Sequence, residues 1–138
     1  MKRILFVMFC LTVVISMSAQ QALFNSSEIV SPEVHEDNTV TFRLNAPEAK
    51  TVKLTGDWIP REDWKPGTVD LVNNGSGLWE YTTKALAPDL YSYSFFVDGL
   101  EMKDPNNVYL NRDVATVSNI FITTGGTADL YKVQKVAT

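Results

Sequence analysis

The chain has 138 residues, with 12 basic and 16 acidic side chains and a net charge of −4. That length suits one domain of ordinary size. The acidic balance excludes a nucleic-acid partner, whose phosphates require a basic face, and equally an anionic membrane surface. Neutral ligands remain open.

Residues 1–19 differ in kind from the rest. Lys2 and Arg3 give a basic start, Ile4 to Ile15 is apolar apart from Thr12, and Ser16-Met17-Ser18-Ala19 follows. That order reads as a secretory signal peptide cleaved after Ala19. The apolar run has about twelve residues, short of the roughly 20 that span a bilayer. Cys10, the one cysteine, lies inside this segment behind bulky Phe9, which argues against a lipid anchor. The expected mature chain is secreted or periplasmic, free of the membrane, without cysteine, and has ten basic and sixteen acidic residues for a net charge of −6. Its core alone must hold it together.

Residues 20–27 read as a polar leader. From there the apolar period is two, the signature of half-buried strands. Val40, Phe42 and Leu44 alternate with Thr41 and Arg43, and Val52-Lys53-Leu54-Thr55 repeats the pattern. Residues 56–78 are rich in Gly, Pro, Asp and Asn, a long loop with one short strand near Val69 to Val72. Trp79 to Thr83 resumes the alternation, and Tyr91, Tyr93, Phe95 and Val97 form one face opposed by Ser92, Ser94 and Asp98. Asp98-Gly99 is a hairpin signal, since glycine tolerates the positive φ of a tight turn. Thr116 to Thr123 makes a last strand. No stretch beyond residue 19 shows a helical period, and all six prolines fall between the runs. The expectation is an all-β fold, an immunoglobulin-like β-sandwich of about seven strands over residues 28–124. Residues 125–138 read as the start of a linker.

Little in this chain suits catalysis. The one histidine, His35, sits in a polar turn, and Ser76 in Gly75-Ser76-Gly77 lacks the strand-to-helix elbow of a serine nucleophile. One histidine and no cysteine cannot build a zinc site. Asp98, Asp104, Asn106 and Asn107 could offer oxygens to calcium, but such side chains more often accept hydrogen bonds from their own turn backbone. Glu62 and Asp63 point in opposite directions if extended, so a solvated loop explains them. No metal and no cofactor are expected.

Five segments in order carry a resemblance: Asn45-Ala46-Pro47 with Ala49, Val52 to Asp57, Gly77 with Trp79, Leu90 to Gly99, and Asp104-Pro105. Over roughly residues 29 to 124 the chain resembles the family-48 carbohydrate-binding modules, early-set immunoglobulin-like domains of carbohydrate-active enzymes. Starch- and glycogen-binding members use two stacking tryptophans, a lysine and an asparagine. Here Glu101, Ser94 and Ser118 fall at the second tryptophan, the lysine and the asparagine, so the resemblance implies a largely absent starch site. Asp104 to Leu110 with Arg112-Asp113-Val114 looks like the module preceding secreted bacterial feruloyl or acetyl-xylan esterases of carbohydrate esterase family 1. The resemblance implies a C-terminal esterase domain as partner, joined through the linker, and xylan or arabinoxylan rather than starch as polysaccharide.

The tyrosine run and Trp79 are expected in the core. Trp58 and Trp64, in the loop Asp57 to Trp64, are the expected carbohydrate-binding rings, since an exposed tryptophan calls for a ligand or neighbour to cover it. Two readings stay open: a sugar-binding module, or a structural spacer that binds no sugar. Neither supplies a nucleophile–base pair, so residues 20–138 are expected to leave feruloyl and acetyl esters intact. Turnover that is lost in Ser76→Ala or His35→Ala protein would contradict this.

Overall fold

The computed structural model describes residues 29–61 and 63–131. The expected signal peptide and leader, Glu62 and the end of the expected linker lie outside the described residues. The elements in order are β1 (Glu33–Val34), β2 (Val40–Asn45), β3 (Val52–Gly56), β4 (Val69–Asp70), β5 (Val72–Asn73), β6 (Leu78–Thr82), β7 (Leu90–Val97), β8 (Leu100–Met102), β9 (Leu110–Arg112), β10 (Val117–Ile122) and a 3-10 helix (Gly126–Tyr131). Two antiparallel sheets form the sandwich. One has the order β1-β2-β6-β5, the other β4-β3-β7-β10-β9 with β8 also on β7.

The alternation drives this architecture. Val40, Phe42, Leu44, Val52, Leu54, Tyr93 and Phe95 are all buried between the sheets. Rings meet at the centre: Phe42 packs edge-on to Tyr93 and Phe121 at 4.9 and 5.5 Å. Such geometry suits the ring quadrupoles. Trp79 is buried as expected, and its indole N–H donates to the Ala46 carbonyl at 2.9 Å.

Strand β7 serves two neighbours on one side. Its first half, Leu90 to Tyr93, pairs with β10, and Phe95 to Val97 pair with β8. The β7–β8 turn is the expected hairpin, with φ of 49° at Asp98 and 86° at Gly99. The Asp98 carboxylate accepts from the Lys50 and Thr51 N–H groups, which hold it below the usual carboxylate range.

Other expectations shift. The single strand near Val69 to Val72 is two strands in different sheets, with buried Leu71 as the crossing point. Among the described residues the sandwich has ten strands, several of them only two or three residues long, where about seven were expected. Residues 126–131, expected as linker, form the 3-10 helix and bury Ala128 against the sandwich.

A polar knot closes one edge. Asp104 is 3% exposed, and its Oδ2 accepts from Ser31 Oγ at 2.6 Å and Tyr93 OH at 2.8 Å. Its Oδ1 accepts from the Asn106 N–H, the turn role read from sequence. Buried Asn119 accepts the Asp104 N–H and donates to the Asn107 carbonyl, and Asn107 donates to Tyr93 OH. Farther along, the Asn38 side chain brackets the Thr124 N–H and C=O at 2.8 and 2.9 Å. Past the β9 pairing, the Ile120 carbonyl of β10 accepts the Asn107 side-chain amide at 2.9 Å.

Burial raises the Asp104 carboxyl above its ordinary range, against the pull of the Ser31, Asn106 and Tyr93 hydrogen bonds. The folded state therefore holds this proton more firmly than the unfolded state. The residue's contribution is full at acid pH and falls as pH rises through the folded-state pKa. Asp104→Ala should cost about 3 kcal/mol in urea unfolding, because three donors lose their acceptor. The cost of Asp104→Asn should be larger near about pH 4 than near about pH 7. A cost independent of pH would contradict the burial argument.

Candidate functional site

The outer faces of the sheets differ. On the β1-β2-β6 face, Arg43 bridges Glu33 and Glu80 at 2.6 and 2.7 Å, a flat and salt-bridged surface. On the other sheet, inward Tyr91, Tyr93 and Phe95 leave Ser92 and Ser94 on the outer face by the period of two, where Ser94 is only 4% exposed. Thr55 of β3 pairs with Ser94 of β7, and Ser118 of β10 pairs with Asn111 of β9. The Asn119–Tyr93 pair puts Ser118 beside Ser94 one step on. Thr55, Ser94, Ser118 and Asn111 therefore form one row across four adjacent strands, about 14 Å long at the usual strand spacing.

This row floors a groove of about 480 Å³. The loop after β3 makes one wall with Asp57, Ile59, Arg61 and Pro66, and Asp113 and Thr116 make the other. Asp57 accepts the Ser92 N–H at 2.7 Å, which fixes the loop to β7. Asp113 accepts the Ala115 and Thr116 N–H groups, and these bonds hold its carboxyl below the usual range. Thr55 Oγ1 donates to the Gly67 carbonyl, and Lys103 Nζ, paired with Glu101 at 2.6 Å, donates to Ser94 Oγ at 3.0 Å. Hydroxyls and an amide thus line the floor, with those of Thr55 and Ser94 already engaged by Gly67 and Lys103 and the side chains of Ser118 and Asn111 more open. No pair of nucleophile and base is built here, and no cluster of three metal-ligating side chains occurs among the described residues.

The two loop tryptophans go different ways. Trp64 is 82% exposed, with Lys65 Nζ 5.6 Å from its ring centroid. Trp58 turns inward. Its ring stacks on Phe42 at 5.5 Å and 12° and meets Tyr91 and Phe121 edge-on. A Cβ on Gly56 would collide with the six-membered ring of Trp58, so glycine makes room for it. The structure thus separates the two expected sugar-binding rings: Trp64 is exposed, and the aromatic core takes Trp58, burying its indole N–H without a partner. Neither ring lines the groove.

Sequence reasoning did not pick out the hydroxyl row as a site. Its signal was there in the outward positions of strands whose inward residues were already assigned.

A second cavity, about 490 Å³, opens between β1 and β10. Its walls are mainly apolar, with Val30, Val34, Val108, Tyr109 and Ile122. Of the polar side chains there, Ser31 and Asn107 are engaged in the Asp104 knot.

No curated protein matches the chain. Among solved structures, the Group B Streptococcus pullulanase in complex with maltotetraose is 20% identical, covers 70% of the chain and gives a TM-score of 0.53. The catalytic module of a glycogen-degrading pneumococcal virulence factor is 19% identical over 70% of the chain, TM-score 0.52. The Anoxybacillus pullulanase complexed with maltotriose is 21% identical over 70%, TM-score 0.50. The chain spans only 15%, 16% and 14% of these three chains. At such identities the likeness shows the fold alone. The family profile of carbohydrate-binding module 48 (isoamylase N-terminal domain) matches residues 30–111, the stretch that holds the strands from β1 to the middle of β9. With that match over more than half its length, the chain belongs to the carbohydrate-binding module 48 family, a family of non-catalytic binding domains.

Proposed function

We propose that this domain binds a polysaccharide in the groove over Thr55, Ser94, Ser118 and Asn111, and that it directs an exported esterase to xylan or arabinoxylan. The observation that carries the reading is the row itself: hydroxyl and amide groups repeat across four strands at the strand spacing, and the more open of them, Ser118 and Asn111, are placed to meet the hydroxyls of an extended sugar chain. Xylose units lack an exocyclic hydroxymethyl group, which suits a floor of small side chains. Ser94, Ser118 and Glu101 stand where starch-binding members have lysine, asparagine and tryptophan, which supports xylan over starch. Export is supported by the order of residues 1–19, and the esterase partner by the resemblance of residues 104–114. Trp64, exposed on the loop that walls the groove, is the ring available to stack on a bound chain.

The spacer reading has its own support. Trp58 packs into the core, and no tryptophan lines the groove.

Affinity electrophoresis separates the two. A shallow groove suggests a dissociation constant on the order of 0.1 mM, about −5.5 kcal/mol. Arabinoxylan in the gel should retard the mature chain, and glycogen should retard it less. Ser118→Arg, which fills the groove from a strand's outer face, should abolish retardation, and Trp64→Ala should weaken binding by about 1–2 kcal/mol. Both should leave the thermal transition nearly unchanged. Equal migration of wild type and variants with and without xylan would favour the spacer, and stronger retardation by glycogen would overturn the choice of polymer.

A further inference from the structure

The turn between β5 and β6, Asn73-Asn74-Gly75-Ser76-Gly77, holds the serine considered above as a nucleophile, and its hydrogen bonds suit a different reaction. Asn74 and Gly75 are exposed, and Gly75 has a φ of 88° with open space where a Cβ would stand. No Cβ at residue 75 therefore crowds the approach of its backbone nitrogen to the Asn74 side chain. Two donors converge on the Asn74 side-chain oxygen: the Ser76 N–H at 2.9 Å and Ser76 Oγ–H at 2.7 Å. Such donors draw electron density from Cγ and stabilise negative charge that develops on the oxygen. A third contact opposes them. Asn73 Oδ1 accepts the Gly75 N–H at 2.8 Å and so holds the proton that the nitrogen must lose before it attacks.

We propose that Asn74 is a site of spontaneous deamidation to aspartate and isoaspartate, its rate set by Ser76 and Asn73. The Gly75 nitrogen gives its proton to solvent and attacks Asn74 Cγ. The new C–N bond forms as the carbonyl electrons move onto Oδ1, where Ser76 holds them. Collapse breaks the Cγ–Nδ2 bond, and Nδ2 leaves as ammonia after taking one proton from solvent. Water then opens the cyclic imide at either carbonyl. One water is consumed, one ammonia is released and one carboxylate is gained. Opening at one carbonyl restores the normal backbone as aspartate, and opening at the other lengthens it by one carbon as isoaspartate. The turn belongs to the sheet opposite the hydroxyl row, so the groove is untouched by the change. The modification thus stands apart from the polysaccharide reading.

The test follows the mature chain by peptide mapping and isoaspartate-specific enzymatic methylation during incubation at mildly alkaline pH. Asn74 should convert about tenfold or more faster than Asn38 and Asn107, a difference of about 1.4 kcal/mol in barrier. Ser76→Ala removes one donor and should slow conversion about threefold. Asn73→Ala frees the Gly75 N–H and should speed it about threefold. Both positions lie outside the core, and unchanged unfolding midpoints would show intact folds. Conversion at Asn74 no faster than at Asn38 and Asn107 would overturn the proposal. So would Ser76→Ala and Asn73→Ala proteins that both keep the wild-type rate, since the dipeptide alone would then set it.

Discussion

A carboxylate buried with no cation beside it has to be met by hydrogen-bond donors, and Asp104 draws them from separate parts of the chain. Ser31 comes from the approach to β1, Tyr93 from the middle of β7 and Asn106 from the local turn, while Asn119 of β10 takes the Asp104 N–H. Leaving any of these donors unmet costs about 1–3 kcal/mol, so the four segments are positioned together. The knot ties the segment just before β1 in one sheet to β7 and β10 of the other. No cysteine lies among the described residues to do this work.

The groove follows from that constraint. With the Tyr93 hydroxyl fixed on Asp104, the odd residues of β7 face the core and Ser92 and Ser94 face out. A slip of one residue would reverse every side chain on the strand. The same logic fixes β10, where buried Asn119 and Phe121 leave Ser118 on the surface. The hydroxyl row is the outward complement of a core that the knot and the stacked rings hold in register.

Much of this was legible in the sequence. The alternation marked β2, β3, β6, β7 and β10, Asp98-Gly99 marked the hairpin, and the tyrosine face and Trp79 were correctly placed inside. The short strands were not. β4 and β5 are two residues each, too short for a period of two to show, and the sheet change at Leu71 has no local signal. β9 is exposed throughout, so burial leaves no pattern in it. Whether Trp58 lies inside or outside was not legible because its neighbours are loop residues, whereas its partners Phe42, Tyr91 and Phe121 are distant in sequence. Gly56, two residues earlier, was the available hint, since it leaves room for the ring. The row escaped notice because serine and threonine on an outer face look like ordinary solvent contacts until four strands are set side by side.

The measurement that bears most directly on this account is an amide chemical-shift map of the mature domain titrated with a linear xylo-oligosaccharide. The account predicts concerted shifts at Thr55, Ser94, Asn111 and Ser118, with smaller ones along the loop that carries Trp64, while Thr41, Arg43 and Glu80 on the opposite sheet stay still. Shifts confined to the apolar cleft at Val30, Val108 and Tyr109, or no shifts at concentrations well above about 0.1 mM, would contradict it.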